Sequence, residues 1–329
     1  MQSNLTTICS GELNYPTSII LAFLHTISGM FSVGGNLFVL VAIFQTPSLH
    51  TTSNYFIASL AVADLSVGLI INPLWVTKSV LNIWENSHFL TMFTEFMSMQ
   101  TLFTTTYSLA FVSYDRYLAV TSVFRYLHLM TIKRCVLSIA LVWVLSFGFG
   151  AVRFAVINPL MLPYLWTVVA VICYTIPFTI IAYSYYFIFK EARRQRRQIE
   201  AVENSISTRE TSETIRSETK NRKAAYTIGI VIGLYLLFAF PSMVITAIQL
   251  ITSDNCLKVR IIRMWFWGAL VSFASSACNP WVYAARITEY RQAFKSILSY
   301  ICPFKFSIAT RNNKIKCLTI PKAKDNEMG

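Results

Sequence analysis

The sequence predicts an all-α integral membrane protein, a bundle of seven transmembrane helices with a short amphipathic eighth helix. Of the 329 residues, 55% are hydrophobic and only 13% are charged, whereas about 25% of an average soluble domain is charged. One soluble core could not enclose this much apolar surface, and a lipid-facing exterior accounts for it. Apolar stretches long enough to cross a bilayer also recur along the chain.

Five apolar stretches each reach the length of about 20 residues that a membrane-spanning helix requires. They lie at residues 17–44, 51–77, 89–114, 224–253 and 264–285. Asp64 is the only charged residue of the second stretch and Glu95 the only one of the third, and the other three stretches have none. These stretches predict five spans.

Residues 135–189 predict two more spans. This region contains one charged residue, Arg153, and a single helix of its length would be about twice as long as a bilayer crossing requires. Pro159 and Pro163 interrupt it, because proline disfavours the helical conformation in the residue before it. Two helices with a very short connection follow, and the total becomes seven.

The predicted helices cover about 17–44, 53–77, 89–120, 133–157, 163–190, 221–252 and 261–285, and the amphipathic helix covers 287–299. Residues 17–300 therefore form the helical domain, between an N-terminal segment at 1–16 and a tail at 301–329.

The basic residues predict the orientation of the chain in the membrane. Five of the 28 Lys and Arg lie on one side of the predicted spans, and the other 23 lie on the opposite side. The more basic side faces the cytoplasm, which makes residues 1–16 extracellular and 301–329 cytoplasmic. Asn4, in the sequon Asn4-Leu5-Thr6, is then a glycosylation candidate. Topology also explains the net charge of +13 without nucleic acid as a partner.

The cysteine and histidine patterns favour neither a zinc site nor an enzyme. The seven Cys include no C-x-x-C pair, and none of the four His forms a ligand-spaced pair. We therefore predict no catalytic residues. Cys9 and Cys256 both fall on the predicted outer side, where they either form a disulfide or remain free thiols.

A set of motifs occurs in order along the predicted helices. Its members are Asn36 in GGNLFVLVAI, Asp64 in SLAVADL, Tyr114-Asp115-Arg116-Tyr117, Trp143, Pro177 with Tyr185, Pro241, and Asn279-Pro280-Trp-Val-Tyr283. This set resembles the rhodopsin-like G-protein-coupled receptors over about residues 17–300. The resemblance implies a plasma-membrane receptor that binds an extracellular ligand in the outer half of the bundle and activates a heterotrimeric G protein.

The resemblance also implies a cytoplasmic activation switch. Arg116 would pair with Asp115 at rest and meet the G protein when freed, although a simple interfacial arginine is the alternative. The remaining candidates for this switch are Tyr117, Tyr185, Pro241, Asn279, Pro280 and Tyr283. The family further implies contacts with a receptor kinase and arrestin, and the position of Cys302 after the amphipathic helix favours palmitoylation.

A carboxylate near mid-membrane is costly unless it has partners, and Asp64 is such a group. In the family, the corresponding cluster binds a sodium ion in the inactive state. The candidates here are Asp64, Thr105, Ser276 and Asn279, and a buried polar cluster that only joins helices is the alternative. Retinal is not expected, because Phe273 stands where an opsin has its lysine.

The sequence departs from the family pattern at two places. Ala239 replaces the tryptophan that usually precedes the sixth-helix proline. Thr91 stands where most relatives have the third-helix cysteine of a disulfide, and the second outer loop is very short. The melanocortin, cannabinoid and lysophospholipid receptors also lack that bridge, and some resemblance to amine-receptor-like orphans remains.

The ligand pocket is predicted from position and chemistry. Ser98 stands where aminergic receptors have an aspartate, and Glu95 lies about one turn further out. Three roles are open for Glu95: contact with a cationic ligand, an ion pair with Arg153 or Lys78, or solvation at the rim. The other pocket candidates are Trp75, Phe240, Trp265 and Phe273. An amine, a small peptide and a lipid all remain candidate ligands, and a non-signalling decoy receptor or a transporter is the alternative function.

Overall fold

The computed structural model describes residues 13–158, 161–203, 209–252 and 254–301. Within these ranges, every long regular element is helical. The helices are α1 (Tyr15–Gln45), α2 (Thr52–Ser66, the π turn Val67–Ile71, and Asn72–Leu81), α3 (Phe89–Thr121), α4 (Ile132–Ala155), α5 (Leu162–Ala170, the π turn Val171–Thr175, and Ile176–Glu203), α6 (Arg209–Ile251), α7 (Asn255–Arg286) and α8 (Thr288–Ile301). The predicted all-helical fold is confirmed.

Five of these helices, α1, α2, α4, α5 and α6, are long and apolar enough to cross a membrane by length and composition alone. The other two long helices, α3 and α7, contain more polar residues. In α3 the polar side chains point into the bundle, where Thr101, Thr104 and Ser108 are buried. This helix packs against α2, α4, α5 and α6, so its polar residues meet other helices and not lipid.

Local sequence explains where several helices begin and end. The side chains of Asn14, Thr51 and Thr131 accept hydrogen bonds from backbone N–H groups in the first turns of α1, α2 and α4, which satisfies donors that a helix start leaves free. Asn82 ends α2 in the left-handed conformation, with a φ of 51°, a conformation that asparagine tolerates better than most residues.

The structure and the predicted helix bounds differ most on the side that is predicted to be cytoplasmic. The helix α5 continues to Glu203 and α6 begins at Arg209, well beyond the apolar residues of each span. Their extensions are rich in Glu, Gln, Lys and Arg, which have high helix propensity and need no lipid contact. A hydropathy profile detects only the apolar part of such a helix, so the predicted bounds end where the apolar residues end.

Two glycines permit close contact between helices. A Cβ atom on Gly35 of α1 would lie 2.8 Å from Cγ of Pro280 in α7, and a Cβ atom on Gly150 of α4 would lie 2.9 Å from the carbonyl oxygen of Phe96 in α3. Both distances are shorter than carbon–carbon or carbon–oxygen contact allows, so these positions require glycine for the observed packing.

The helix α8 is anchored to the end of the bundle that is predicted to face the cytoplasm. Tyr290 is fully buried, and its hydroxyl donates to the Asn54 side chain at 3.0 Å. Arg291 donates to the carbonyl oxygens of Ala284 and Ala285 at 3.1 and 2.6 Å. These carbonyls lie in the last turn of α7, where a helix leaves acceptors free and favours a positive charge.

Candidate functional site

The C-terminal end of α3, which is predicted to face the cytoplasm, carries a buried carboxylate with many donors around it. Asp115 accepts hydrogen bonds from Arg116 at 2.7 and 3.1 Å, from Thr52 at 3.2 Å and from the hydroxyl of Tyr126 at 2.9 Å. The hydroxyl of Ser53 also donates to it. Asp115 itself is completely buried. The carboxylate therefore joins α3, the start of α2 and the short helix Val123–Leu129.

The sequence predicted a role for Asp115 and Arg116 but missed the other partners of the carboxylate. Tyr126 lies in the short helix Val123–Leu129 that follows α3, and no sequence motif identifies it as a partner of Asp115. Burial first, and then the Asp115 carboxylate, raise the pKa of the Tyr126 phenol above its ordinary value. The phenol therefore remains protonated and acts as a donor to Asp115.

The predicted switch tyrosines have separate partners in this structure. The hydroxyl of Tyr185 in α5 donates to the carbonyl oxygen of Ala225 in α6 at 2.9 Å. Tyr283 in α7 is buried, and its ring centroid lies 5.6 Å from that of Tyr290 in α8. Its hydroxyl has no hydrogen-bond partner among the described residues. Tyr117 instead packs edge-on against Tyr183 and Phe187 of α5.

Pro241 and Pro280 lie inside α6 and α7. Each removes one backbone donor from a membrane helix, which permits a local bend. Asn279, immediately before Pro280, extends its amide towards α2 and donates to Oδ2 of Asp64 at 2.7 Å. The NPxxY segment of α7 is thereby connected to the mid-membrane carboxylate.

The mid-membrane layer contains two buried oxygen atoms that have no hydrogen-bond partner among the described residues. They are Oδ1 of Asp64 and Oδ1 of Asn36. The amide of Asn36 donates to the carbonyl oxygens of Ser32 and Ser276 at 2.9 and 3.0 Å, so its free oxygen belongs to the same layer as Asp64. Thr105 and Ser276 are buried as well. Burying an oxygen atom without a partner is unfavourable in free energy. Carboxylate, amide and hydroxyl oxygens are the ligands that a small hard cation prefers.

An ion pair joins three elements near the outer end of the bundle. The guanidinium of Arg153 in α4 pairs with the carboxylate of Glu95 in α3, with side-chain exposures of 2% and 18%. Arg153 also donates to the carbonyl oxygen of Val156 at 3.0 Å and to that of Asn86 at 2.8 Å. Of the three roles open for Glu95, the structure therefore contains the internal ion pair with Arg153.

A layer of aromatic rings crosses the outer half of the bundle, and we call it the outer aromatic layer. Its centre is Trp75 of α2, which is 3% exposed. The rings that contact it are those of His25, Trp84, Trp265 and Phe266, with centroids 5.5, 6.4, 5.8 and 5.9 Å away. Trp265 also lies 6.1 Å from Trp166 of α5. The layer thus links α1, α2, α7 and α5.

Comparison with known proteins decides the family. The family model for the 7 transmembrane receptor (rhodopsin family) matches residues 35–283. The chain belongs to this family. It is a G-protein-coupled receptor, a multi-pass protein of the plasma membrane that responds to an extracellular ligand, and it is not an enzyme.

Curated relatives of this rhodopsin-family receptor include receptors named for amines. Trace amine-associated receptor 5 of Rattus norvegicus is 30% identical over 306 residues, which cover 87% of each chain. Trace amine-associated receptor 6 of the same species is 27% identical over 316 residues, or 89% of each chain. The alpha-1A adrenergic receptor of Oryzias latipes is 26% identical over 347 residues, or 91% of this chain and 71% of that one.

One predicted pocket residue of the receptor is wrong. Phe240 is 63% exposed on the outside of the bundle, whereas its neighbour Ala239 is 2% exposed. Successive helical residues are rotated by about 100°, so burial of Ala239 turns Phe240 towards lipid. Of the other candidates, Trp75, Trp265 and Phe273 belong to the outer aromatic layer or pack against it.

The remaining sequence candidates are distributed as follows. Ser98 is partly buried and donates to the carbonyl oxygen of Thr94 at 2.7 Å. Asn4, Cys9 and Cys302 lie outside the residues that the structure describes, and of Cys256 only the backbone, in the first turn of α7, is described.

Proposed function

We propose that this receptor is activated when a small extracellular ligand binds in the outer half of the bundle and Arg116 leaves Asp115 to contact a G protein. The observation that carries this proposal is the buried ion pair of these two residues at the cytoplasmic end of α3. Arg116 keeps 11% of its side chain exposed, whereas Asp115 has none exposed. A movement of α3 relative to α2 would separate Asp115 from its hydroxyl donors and weaken its hold on the arginine.

The two tyrosines support the same mechanism. Tyr185 donates to a backbone carbonyl of α6 and Tyr283 packs on α8, so an outward displacement of α6 would release the first hydroxyl. The hydroxyl of Tyr283 lacks a partner among the described residues and is free to accept a new one. A decoy receptor that does not signal is the alternative function, and it gives no reason for this arrangement.

The orientation and the modifications belong to the same proposal. The distribution of Lys and Arg supports an extracellular N-terminus, with a glycan on Asn4 and a disulfide between Cys9 and Cys256. The tail beyond α8 would then be cytoplasmic, with a palmitoyl group on Cys302 and with receptor kinase and arrestin as partners. The two ends of the chain would thus lie on opposite sides of the lipid bilayer, each with its own partners.

The test is a comparison of signalling between the receptor and its Arg116→Ala variant in cells. Cyclic AMP and calcium would be recorded with and without pooled amines, carboxylates, peptides and lipids. We expect a basal or evoked response that disappears in Arg116→Ala at equal surface expression. Lys133→Ala, which removes an exposed cation from the same end of the bundle, should retain it. Responses of equal size in Arg116→Ala would overturn the proposed mechanism.

We also propose that sodium binds at Asp64 and its neighbours. Asp64, Asn36, Thr105, Ser276 and Asn279 would hold it, and the ion would supply the positive charge that the buried carboxylate lacks. Because a ligand that binds only the folded state stabilises it, NaCl should raise the melting temperature of the purified receptor above that in KCl at equal ionic strength. The difference should vanish in Asp64→Asn. Equal melting temperatures in the two salts for the unmodified receptor would exclude the ion.

A further inference from the structure

The outer half of the described helices contains no free acid for an amine ligand. Glu95 is the acid of this region, and its carboxylate is paired with Arg153, which is itself 1% exposed. Ser98, at the position of the aminergic aspartate, offers a hydroxyl that already donates to Thr94. An ammonium group that entered here would have to displace a buried guanidinium from its carboxylate, which is a costly exchange.

A buried cation lies in the same region. Lys78, in the last turn of α2, is 4% exposed. Its Nζ atom lies 5.1 Å from the ring centroid of Trp75 and 5.3 Å from that of Trp84. The three ion pairs found among the described residues are those of Arg116, Arg153 and Arg194, so none of them includes Lys78.

The two indole faces do not fully compensate this charge. A cation over an aromatic face is stabilised only weakly, whereas removing an ammonium group from water costs considerably more free energy. Glu95 attracts the Lys78 charge and Arg153 opposes it, and the two are paired with each other. When Lys78 is protonated, the region therefore carries a positive charge that no ion pair of the described residues compensates.

Three buried hydrogen-bond donors without acceptors occur in the helix of Lys78 and in the first turn of the next helix. Nε1 of Trp75, Oγ of Ser79 and Oγ1 of Thr91 are buried and have no partner among the described residues. Trp75 and Ser79 lie in the same helical segment of α2 as Lys78, and Thr91 lies in the first turn of α3. A carboxylate accepts hydrogen bonds and donates none, so it fits a site that offers an ammonium, an indole N–H and hydroxyl groups.

We infer that the ligand is a small aromatic carboxylate, whose carboxylate binds Lys78 and whose ring packs on the outer aromatic layer. Trp75 and Trp265 provide the aromatic surface, and their contact across α2 and α7 brings it next to the lysine. This inference rests on the proposed function for its consequence in signalling, but not for binding itself. It distinguishes this receptor from the relatives that are named for amines.

The test is binding by the purified full-length receptor, measured as a thermal shift over a concentration series. Four probes form two pairs with the same rings: 3-phenylpropionate with phenethylamine, and indole-3-propionate with tryptamine. We expect the carboxylates to raise the melting temperature and the amines to leave it unchanged. Lys78→Gln should weaken carboxylate binding about tenfold or more, as the loss of a charge-assisted contact predicts.

Two further variants complete the test. Arg260→Gln removes an exposed cation from the outer end of α7 and should bind the carboxylates as the unmodified receptor does. Lys78→Arg keeps the charge and should retain most of the affinity for the carboxylates. This variant measures the contribution of the charge even if Lys78→Gln does not fold. Tighter binding of the amines, no binding of either class, or equal carboxylate affinity in the receptor and Lys78→Gln would each overturn the inference.

Failure of the inference and failure of the proposed function have different signatures. A cyclic AMP or calcium response that depends on Arg116 but is evoked only by amines would contradict the assignment of a carboxylate ligand and leave the activation mechanism intact. Carboxylate binding that depends on Lys78, with neither a cyclic AMP nor a calcium response at normal surface expression, would contradict the activation mechanism and leave the binding site intact.

Discussion

Replacement of Asp115 by asparagine is expected to raise ligand-independent signalling about tenfold or more. Asparagine is nearly the same size but carries no charge, so Arg116 loses its ion pair while the surrounding packing stays. Hydrogen bonds to charged groups contribute about 1.5–3 kcal/mol, and each 1.4 kcal/mol changes an equilibrium about tenfold. Basal cyclic AMP and calcium, divided by surface expression, would measure the change.

Tyr126→Phe is the matched control for this prediction. It removes one hydroxyl donor at 2.9 Å from Asp115 and leaves the carboxylate and Arg116 in place. Its basal signalling should rise much less than that of Asp115→Asn. Basal signalling at the level of the unmodified receptor in Asp115→Asn, with normal surface expression, would show that this carboxylate does not hold the resting state.

Replacement of Arg153 by methionine is expected to cost about 3–5 kcal/mol of stability, the range for removing one partner of a buried ion pair. Methionine fills much of the volume, but Glu95 is left without its partner and two backbone carbonyls lose their donor. The melting temperature of the purified receptor should fall by several degrees or more.

The double variant Glu95→Gln with Arg153→Met separates charge from packing. Because it removes both charges, it should recover part of the stability that Arg153→Met loses. If Arg153→Met melts at the temperature of the unmodified receptor, the ion pair does not hold the outer end of the bundle together.

The bilayer explains which features could be predicted from the sequence. Its thickness fixes the length of an apolar helix, so the lengths of the apolar stretches, with the prolines that divide residues 135–189, predict the number of spans. The pairing of Asp115 and Arg116 could be predicted because the two are adjacent in a recognisable motif. Both features depend on local sequence.

Features that depend on the rotation of a helix could not be predicted. Whether Glu95 contacts a cationic ligand, pairs with Arg153 or Lys78, or is solvated at the rim depends on which helix faces come together, and the sequence leaves all three roles open. Phe240 is predicted to line the pocket as one of several aromatic candidates. The rotation of about 100° between successive helical residues decides whether such a side chain faces the pocket or the lipid. Tyr126 reaches Asp115 across a turn of the chain, and no periodicity predicts that contact.

The π turns of α2 and α5 limit how positions can be matched between receptors. A π turn closes its hydrogen bond one residue later than an α turn, and one residue of helix corresponds to a rotation of about 100°. The π turns lie at Val67–Ile71 in α2 and Val171–Thr175 in α5. When positions are counted from a motif across one of these turns, the residue reached faces a different neighbour than the residue with the same count in a relative that lacks the turn. Chimeric receptors should therefore exchange each outer half together with its π turn.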